Sequence, residues 1–246
     1  MIIDKVTMTG ADDSVDVNEM VKISIEHPQV EWGILASESK MGLPRYPTNH
    51  WIGRLVPYGK YFADMAVPLG LFPRMNLSLH ICGAWGRNLL ANNVDECVYR
   101  TMLNFDRIQL NFTLGKVEWD EQFAANLAKG MNNDKHYIFQ IGKAGDNHIM
   151  RHAAANGLRV AALFDRSGGK GETPGEWPSP LNGVYCGYAG GLRPENILVE
   201  LDRINEVVPK DEHIWIDMES GLRSDDDKVF DLSRVRACLA AAEKFF

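Results

Sequence analysis

The sequence predicts an α/β protein folded as one (βα)8 TIM barrel over residues 1–246, and three observations carry that expectation. The 246-residue length is what closed α/β barrels commonly use for a single domain. Eight short apolar runs alternate with longer segments of helical period, the pattern of repeated βα units around a buried parallel sheet. No Ser- and Pro-rich linker divides the chain. An open doubly wound sheet alternates in the same way but usually stops at five or six strands, so eight units favour closure.

In chain order the expected strands are Ile3 to Thr9, Val30 to Ala36, Asn76 to Cys82, Arg107 to Phe112, Tyr137 to Gly142, Arg159 to Phe164, Val184 to Ala189 and Ile214 to Met218. Between them Val17, Met20, Val21 and Ile25 form one helical stripe. Trp119, Phe123 and Leu127, closed by Gly130, form another, and Ile197, Leu201, Ile204 and Val208 a third. Pro194 suits a first helical turn, and Asp231 an N-cap before Leu232, Val235 and Leu239. The second unit is irregular: Pro57, Gly59, Pro68 and Gly70 between Asn49 and Leu71 predict a broken helix or an insertion.

Composition narrows the function. With 45% hydrophobic and 24% charged residues the chain is an ordinary globular one, which excludes disordered, collagen-like and coiled-coil classes. A net charge of −7, with no run of five basic residues, argues against nucleic acid as a partner. No apolar run reaches the roughly 18 residues of a membrane span, and Asp4 and Lys5 stand where a signal peptide would be apolar. Cys82, Cys97, Cys186 and Cys238 are widely spaced, as expected of reduced thiols in a cytoplasmic protein.

Chemistry in a closed barrel sits at the C-terminal ends of the strands, often with a phosphate site in the loops after strands seven and eight. After strand seven the chain reads Ala189-Gly190-Gly191-Leu192-Arg193-Pro194-Glu195-Asn196, a glycine pair leading into a helix N-terminus whose amides and partial positive charge suit an anion. After strand eight, Asp217-Met218-Glu219-Ser220-Gly221 adds a second donor-rich turn beside it. After strand six, Asp165 leads the Gly-rich stretch Arg166-Ser167-Gly168-Gly169-Lys170-Gly171, with Asp165 either an acid at the mouth or a cap for its own loop. That stretch is not a nucleotide P-loop, because Phe164 stands where the first glycine is needed and Gly171 where Ser or Thr is needed.

With these loops in hand, the sequence resembles phosphoribosylanthranilate isomerase, a TIM barrel of the ribulose-phosphate-binding type. Gly190-Gly191-Leu192-Arg193-Pro194-Glu195-Asn196 is similar to the family's AGGLNPEN, Asp217-Met218-Glu219-Ser220-Gly221 to its DVSSG, and Leu163-Phe164-Asp165-Arg166-Ser167-Gly168-Gly169 to its LLDSGGG. Ile108-Gln109-Leu110-Asn111 resembles VQLHG, and Leu43-Pro44-Arg45-Tyr46 resembles SPRY. The resemblance implies an Amadori rearrangement of an aldosylamine to an aminoketose on a small phosphorylated substrate, with no cofactor and no metal. It implies Asp165 as general acid, Arg45 and Asp217 as substrate-binding residues, and Gly190, Gly191, Ser220, Gly221, Gly168 and Gly169 around the phosphate.

One position departs from the pattern. The family's base is the Cys of a KICG motif ending strand one, and here Val6-Thr7-Met8-Thr9-Gly10 puts Thr9 there. A hydroxyl has no accessible pKa for taking a proton unless another base activates it. Cys82, in Leu79-His80-Ile81-Cys82-Gly83, is a candidate relocated base or a small core residue, and His80, on the same face by period two, its polarising neighbour or a satisfied interior histidine. Three readings follow: the isomerase with a displaced base, a different isomerase, epimerase or lyase on a phosphosugar, and a phosphosugar-binding barrel without catalysis. Elsewhere, His148 and His152 read as a solvated helix face rather than a metal pair, Trp32 and Trp215 as core, and Lys143 as an anion support or a solvated lysine.

Overall fold

The computed structural model describes residues 1–62, 73–113, 117–130, 135–141, 147–165 and 172–246. Eight parallel strands close into a barrel in sequence order: β1 (Ile2–Thr9), β2 (Val30–Ala36), β3 (Asn76–Ile81), β4 (Arg107–Leu110), β5 (His136–Ile141), β6 (Arg159–Asp165), β7 (Tyr185–Ala189) and β8 (His213–Met218), with β8 pairing back onto β1. The expected strands are all present. The largest difference is β4, which ends two residues early at Leu110. Gly142, expected to end β5, lies outside the described residues.

Helices α1 (Val17–Glu26), α2 (Asn49–Leu55), α3 (Gly83–Leu90), α4 (Glu96–Met102), α5 (Phe123–Gly130), α6 (His148–Ala155), α7 (Ile197–Val207) and α8 (Leu232–Ala242) lie between the strands in sequence. The side chains of Asp16, Thr48, Asp95, Asn147 and Asp231 accept first-turn amides and so set five of their starts. The irregular second unit is as expected: α2 stops after seven residues and runs into a 3₁₀ turn, Val56–Tyr58, at Pro57. Pro68 and Gly70 lie outside the described residues. Among the described residues no helix is long and apolar enough to cross a membrane.

Two expectations are corrected. Pro194 does not open a helix, because α7 starts three residues later. The Asn196 side chain holds that turn by accepting from the Arg193 amide and donating to the Gly191 carbonyl, both at 2.9 Å. His148 is exposed as expected, and half-buried His152 also packs on a neighbour: its ring lies 4.7 Å edge-on from Trp119, and Nε2 is 2.7 Å from the Glu121 carbonyl oxygen. Trp119 therefore precedes α5 and packs against it instead of belonging to its stripe.

The side chains sort into two layers by period two. Outward strand residues pack under the helices in the main core, where Trp32 is fully buried and its Nε1 donates to Ser24 of α1 at 2.9 Å. Inward residues fill the bore with Ile138, Ala161, Leu163 and Trp215. Trp215 lies across the backbone of Gly187, where an added Cβ would stand 2.1 Å from the indole. Toward the N-terminal end of the bore, Arg107 of β4 meets Glu31 of β2 through Nε at 2.8 Å, and its Nη2 reaches Thr7 of β1 at 3.1 Å. Its guanidinium sits 4.3 Å from the Trp215 ring. The apolar plug and the ion pair below it fill the bore, so the opening for chemistry is at the opposite, C-terminal rim.

Candidate active site

A cavity of about 420 Å³ opens at that rim. Thr9, Arg45, Cys82, Asp165, Gly190, Gly191, Asp217, Ser220 and Gly221, singled out in the sequence from six different βα loops or strand ends, all line it. Gly168, Gly169 and Lys143 lie outside the described residues.

The turns after β7 and β8 touch. Gly190 and Gly191 have φ of 133° and 63°, the left-handed region that side chains disfavour. A Cβ on Gly221 would stand 2.3 Å from the Leu192 carbonyl oxygen and 2.6 Å from the Arg193 Cβ, so only glycine lets the two turns close together. Arg45, itself at φ 75°, has its amide held by Asp12 Oδ2 at 2.7 Å. Its guanidinium reaches across to Glu219 Oε1 at 2.5 Å, Ser220 Oγ at 3.2 Å and Asp227 Oδ1 at 2.8 Å, which brings a cation to the lip of the paired turns. A second basin of about 330 Å³ adjoins this lip and adds Arg193, Arg223 and Arg234. The rim on this side carries both signs, since Arg45, Arg223 and Arg234 are paired with Glu219, Asp227, Asp12 and Glu195.

Beside these turns stand two carboxyl groups. Asp165 pairs in register with Ala189 and Ala189 with Asp217, so the two acids flank one small residue at the ends of neighbouring strands. Two strand spacings put their Cα atoms about 10 Å apart. Asp217 is 6% exposed and accepts the Thr9 hydroxyl at 2.7 Å. Burial, with the Glu219 carboxylate nearby, pushes its carboxyl up to about 7 against the favourable Thr9 bond.

A folded-state pKa above the unfolded one gives stability that is fully present below about 4 and lost as pH rises through about 7. Asp217→Asn, which mimics the protonated acid, is therefore expected to be more stable than the parent above pH 7, by on the order of 3 kcal/mol. Thermal melts at pH 4 and pH 8 check this. A gap of the same size at both pH values would mean that the carboxyl is not held neutral by burial.

The third wall holds Cys82 and His80. The Cys82 thiol accepts from Asn111 at 3.2 Å and donates to the carbonyl of His80, not to its ring. Burial pushes the thiol up to about 11, which leaves almost no thiolate at neutral pH for a base. His80 is not a satisfied interior histidine either: burial drives it down to about 3, and its Nε2, like Gln109 Oε1, is buried with no hydrogen-bond partner. Both residues line the cavity.

Sequence reasoning missed His80's orphaned nitrogen, Gln109 and the Arg45–Glu219 pair. One signal was available. Gly33 interrupts an otherwise large-residue strand, and a glycine inside a strand marks a close approach. A Cβ there would stand 2.2 Å from Thr9 Oγ1 and 3.1 Å from His80 Cε1. Among the described residues no group of three His, Cys, Asp or Glu is arranged to hold a metal ion.

No protein-family model matches the chain, and no curated protein matches it. Solved structures do. TrpF from Jonesia denitrificans is 14% identical with a TM-score of 0.59, covering 98% of this chain and 97% of its own. Phosphoribosyl anthranilate isomerase from Thermus thermophilus is 18% identical with a TM-score of 0.56, covering 98% and 100%. Mutually generated monomers of the dimeric phosphoribosylanthranilate isomerase from Thermotoga maritima are 15% identical with a TM-score of 0.53, covering 99% of each. At these identities the likeness shows a shared barrel along nearly the full length of each chain.

Proposed function

We propose that the protein is an isomerase that converts a phosphorylated ribosylamine to the corresponding aminoketose, in the manner of phosphoribosylanthranilate isomerase. The observation that carries this reading is the placement, in one cavity, of two interlocked glycine turns beside two carboxyl groups that flank Ala189. The turn amides and Arg45 bind the phosphate. The sugar then lies between Asp165 and Asp217, where an acid is needed to open the ring and a base to take a proton from C2. The fold neighbours named as phosphoribosylanthranilate isomerases support the assignment of substrate class. The partner is a small phosphorylated molecule, and the four free thiols suit a cytoplasmic enzyme.

A second reading, another isomerase, epimerase or lyase on a different phosphosugar, is favoured by one observation. The unpartnered His80 Nε2 and Gln109 Oε1 put polar demands on the far wall that an apolar ring would not meet. Incubating purified protein with phosphoribosylanthranilate and, in parallel, with aldose and ketose phosphates separates the two. Aminoketose formation, lost in Gly221→Ala because the added methyl forces the two turns apart, is the expected result. Turnover of a phosphosugar alone selects the second reading.

A further inference from the structure

The proposed rearrangement needs a base at C2, and the residue ending β1 is a threonine. We propose that Asp217 is that base and that Thr9 is its positioning residue. This rests on the isomerase reading above, and its own support is geometric. The Thr9 hydroxyl spends its proton on Asp217 Oδ1 at 2.7 Å, so Thr9 acts as a donor. Gly33 makes room for that side chain, since a Cβ there would press on Thr9 Oγ1. Among the described residues Oδ2 of Asp217 makes no hydrogen bond, and the residue belongs to the cavity wall. The competing groups are committed elsewhere: Glu219 binds Arg45, and the Cys82 thiol is buried and protonated. Asp165 ends the strand two places away with Ala189 between them, so acid and base reach the sugar from neighbouring strand ends.

The step balances without a co-reactant. Asp165 gives its proton to the ring oxygen as the C1–O bond breaks, and the nitrogen lone pair forms a C1=N iminium. Asp217 Oδ2 takes the C2 proton, the C–H pair becomes the C1=C2 bond, and the C=N pair returns to nitrogen. The enol then loses its hydroxyl proton, which reprotonates Asp165 through solvent. Asp217 delivers its own proton to C1, and both carboxyls end as they began.

The groups facing Asp217 explain its behaviour with pH. Glu219 lies two residues on, just past the end of β8, and Glu31 and Arg107 act on it from β2 and β4. Strand β1 presents Thr7 and Thr9, β7 presents Gly187 and Ala189, and Arg45 is engaged by Glu219 and Asp227. Burial and Glu219 hold the acid near 7, matched to a base that works at neutral pH.

The test measures kcat and KM against pH for the parent, Asp217→Asn and Thr9→Val, with inorganic phosphate affinity as the check on folding and binding. In the parent, kcat/KM rises as pH climbs through about 7. Asp217→Asn loses about 10²- to 10⁴-fold in kcat with phosphate affinity kept. Thr9→Val lowers kcat by less than Asp217→Asn and moves the limb to higher pH, because the lost hydroxyl had oriented and favoured the carboxylate. A parent that turns over while Asp217→Asn keeps kcat within tenfold, or changes KM alone, overturns Asp217 as base and leaves the isomerase reading standing. So does an unmoved limb in Thr9→Val, for the positioning role. A parent with no turnover overturns the isomerase reading itself, and this assignment with it.

Discussion

Asp165→Asn is expected to lower kcat by about 10²- to 10⁴-fold while KM changes little, since ring opening requires a proton that an amide cannot supply. The residue ends β6 with its side chain directed into the cavity by the same alternation that sends Leu163 into the bore. Its register partner Ala189 is small, which keeps the space between it and Asp217 clear. Steady-state kinetics on the purified variant, with a thermal melt to show that it is folded, give the answer. A loss below tenfold would place the acid elsewhere and reduce Asp165 to a cap for the glycine-rich loop that follows it.

The largest effect on stability is expected at the base of the bore. Arg107→Met leaves Glu31, fully buried on β2, without its cation, and breaking a buried pair in this way costs about 3–5 kcal/mol. In a chain of this size that is a fall in Tm of roughly 10 °C, because 1 kcal/mol moves Tm by about 2–4 °C. Arg107 holds Glu31 below the usual carboxylate range against the cost of burial. The pair's contribution is therefore present above the unfolded pKa of a glutamate and lost as pH falls through the lowered folded value. The double variant Glu31→Leu/Arg107→Met should recover most of the loss, since an apolar pair pays no desolvation. If the double variant melts as low as the single one, the pair's value lies in its contacts with Thr7 and the Trp215 ring instead of in charge compensation.

The barrel was legible in the sequence because eight short, mostly apolar runs alternate with segments of helical period. The loop after β7 was legible for a similar reason: the left-handed backbone at Gly190 and Gly191 demands glycine, and the demand is visible as text. Register was not legible. Period two placed His80 and Cys82 on one face without saying which, and only the closed sheet shows that both line the cavity.

Nor could the sequence show Arg45 reaching Glu219 and Asp227, contacts that span more than 170 residues. Glu31 and Arg107 look like surface charges in isolation, because each is compatible with the interior only in the presence of the other. The role of Asp217 was hidden for a physical reason as well. A carboxyl becomes a neutral-pH base through what surrounds it, and burial, Thr9 and Glu219 arrive from three places in the chain.

The central claim is that one cavity grips a phosphate between two glycine turns and presents the attached sugar to the two acids that flank Ala189. A crystal structure with a reduced, unreactive analogue of the aminoketose phosphate tests it most directly. The phosphate is expected on the amides of Gly190, Gly191, Ser220 and Gly221, with C1 and C2 of the sugar between Asp165 and Asp217. A phosphate bound at any other place, or a sugar chain directed away from both acids, would contradict the account.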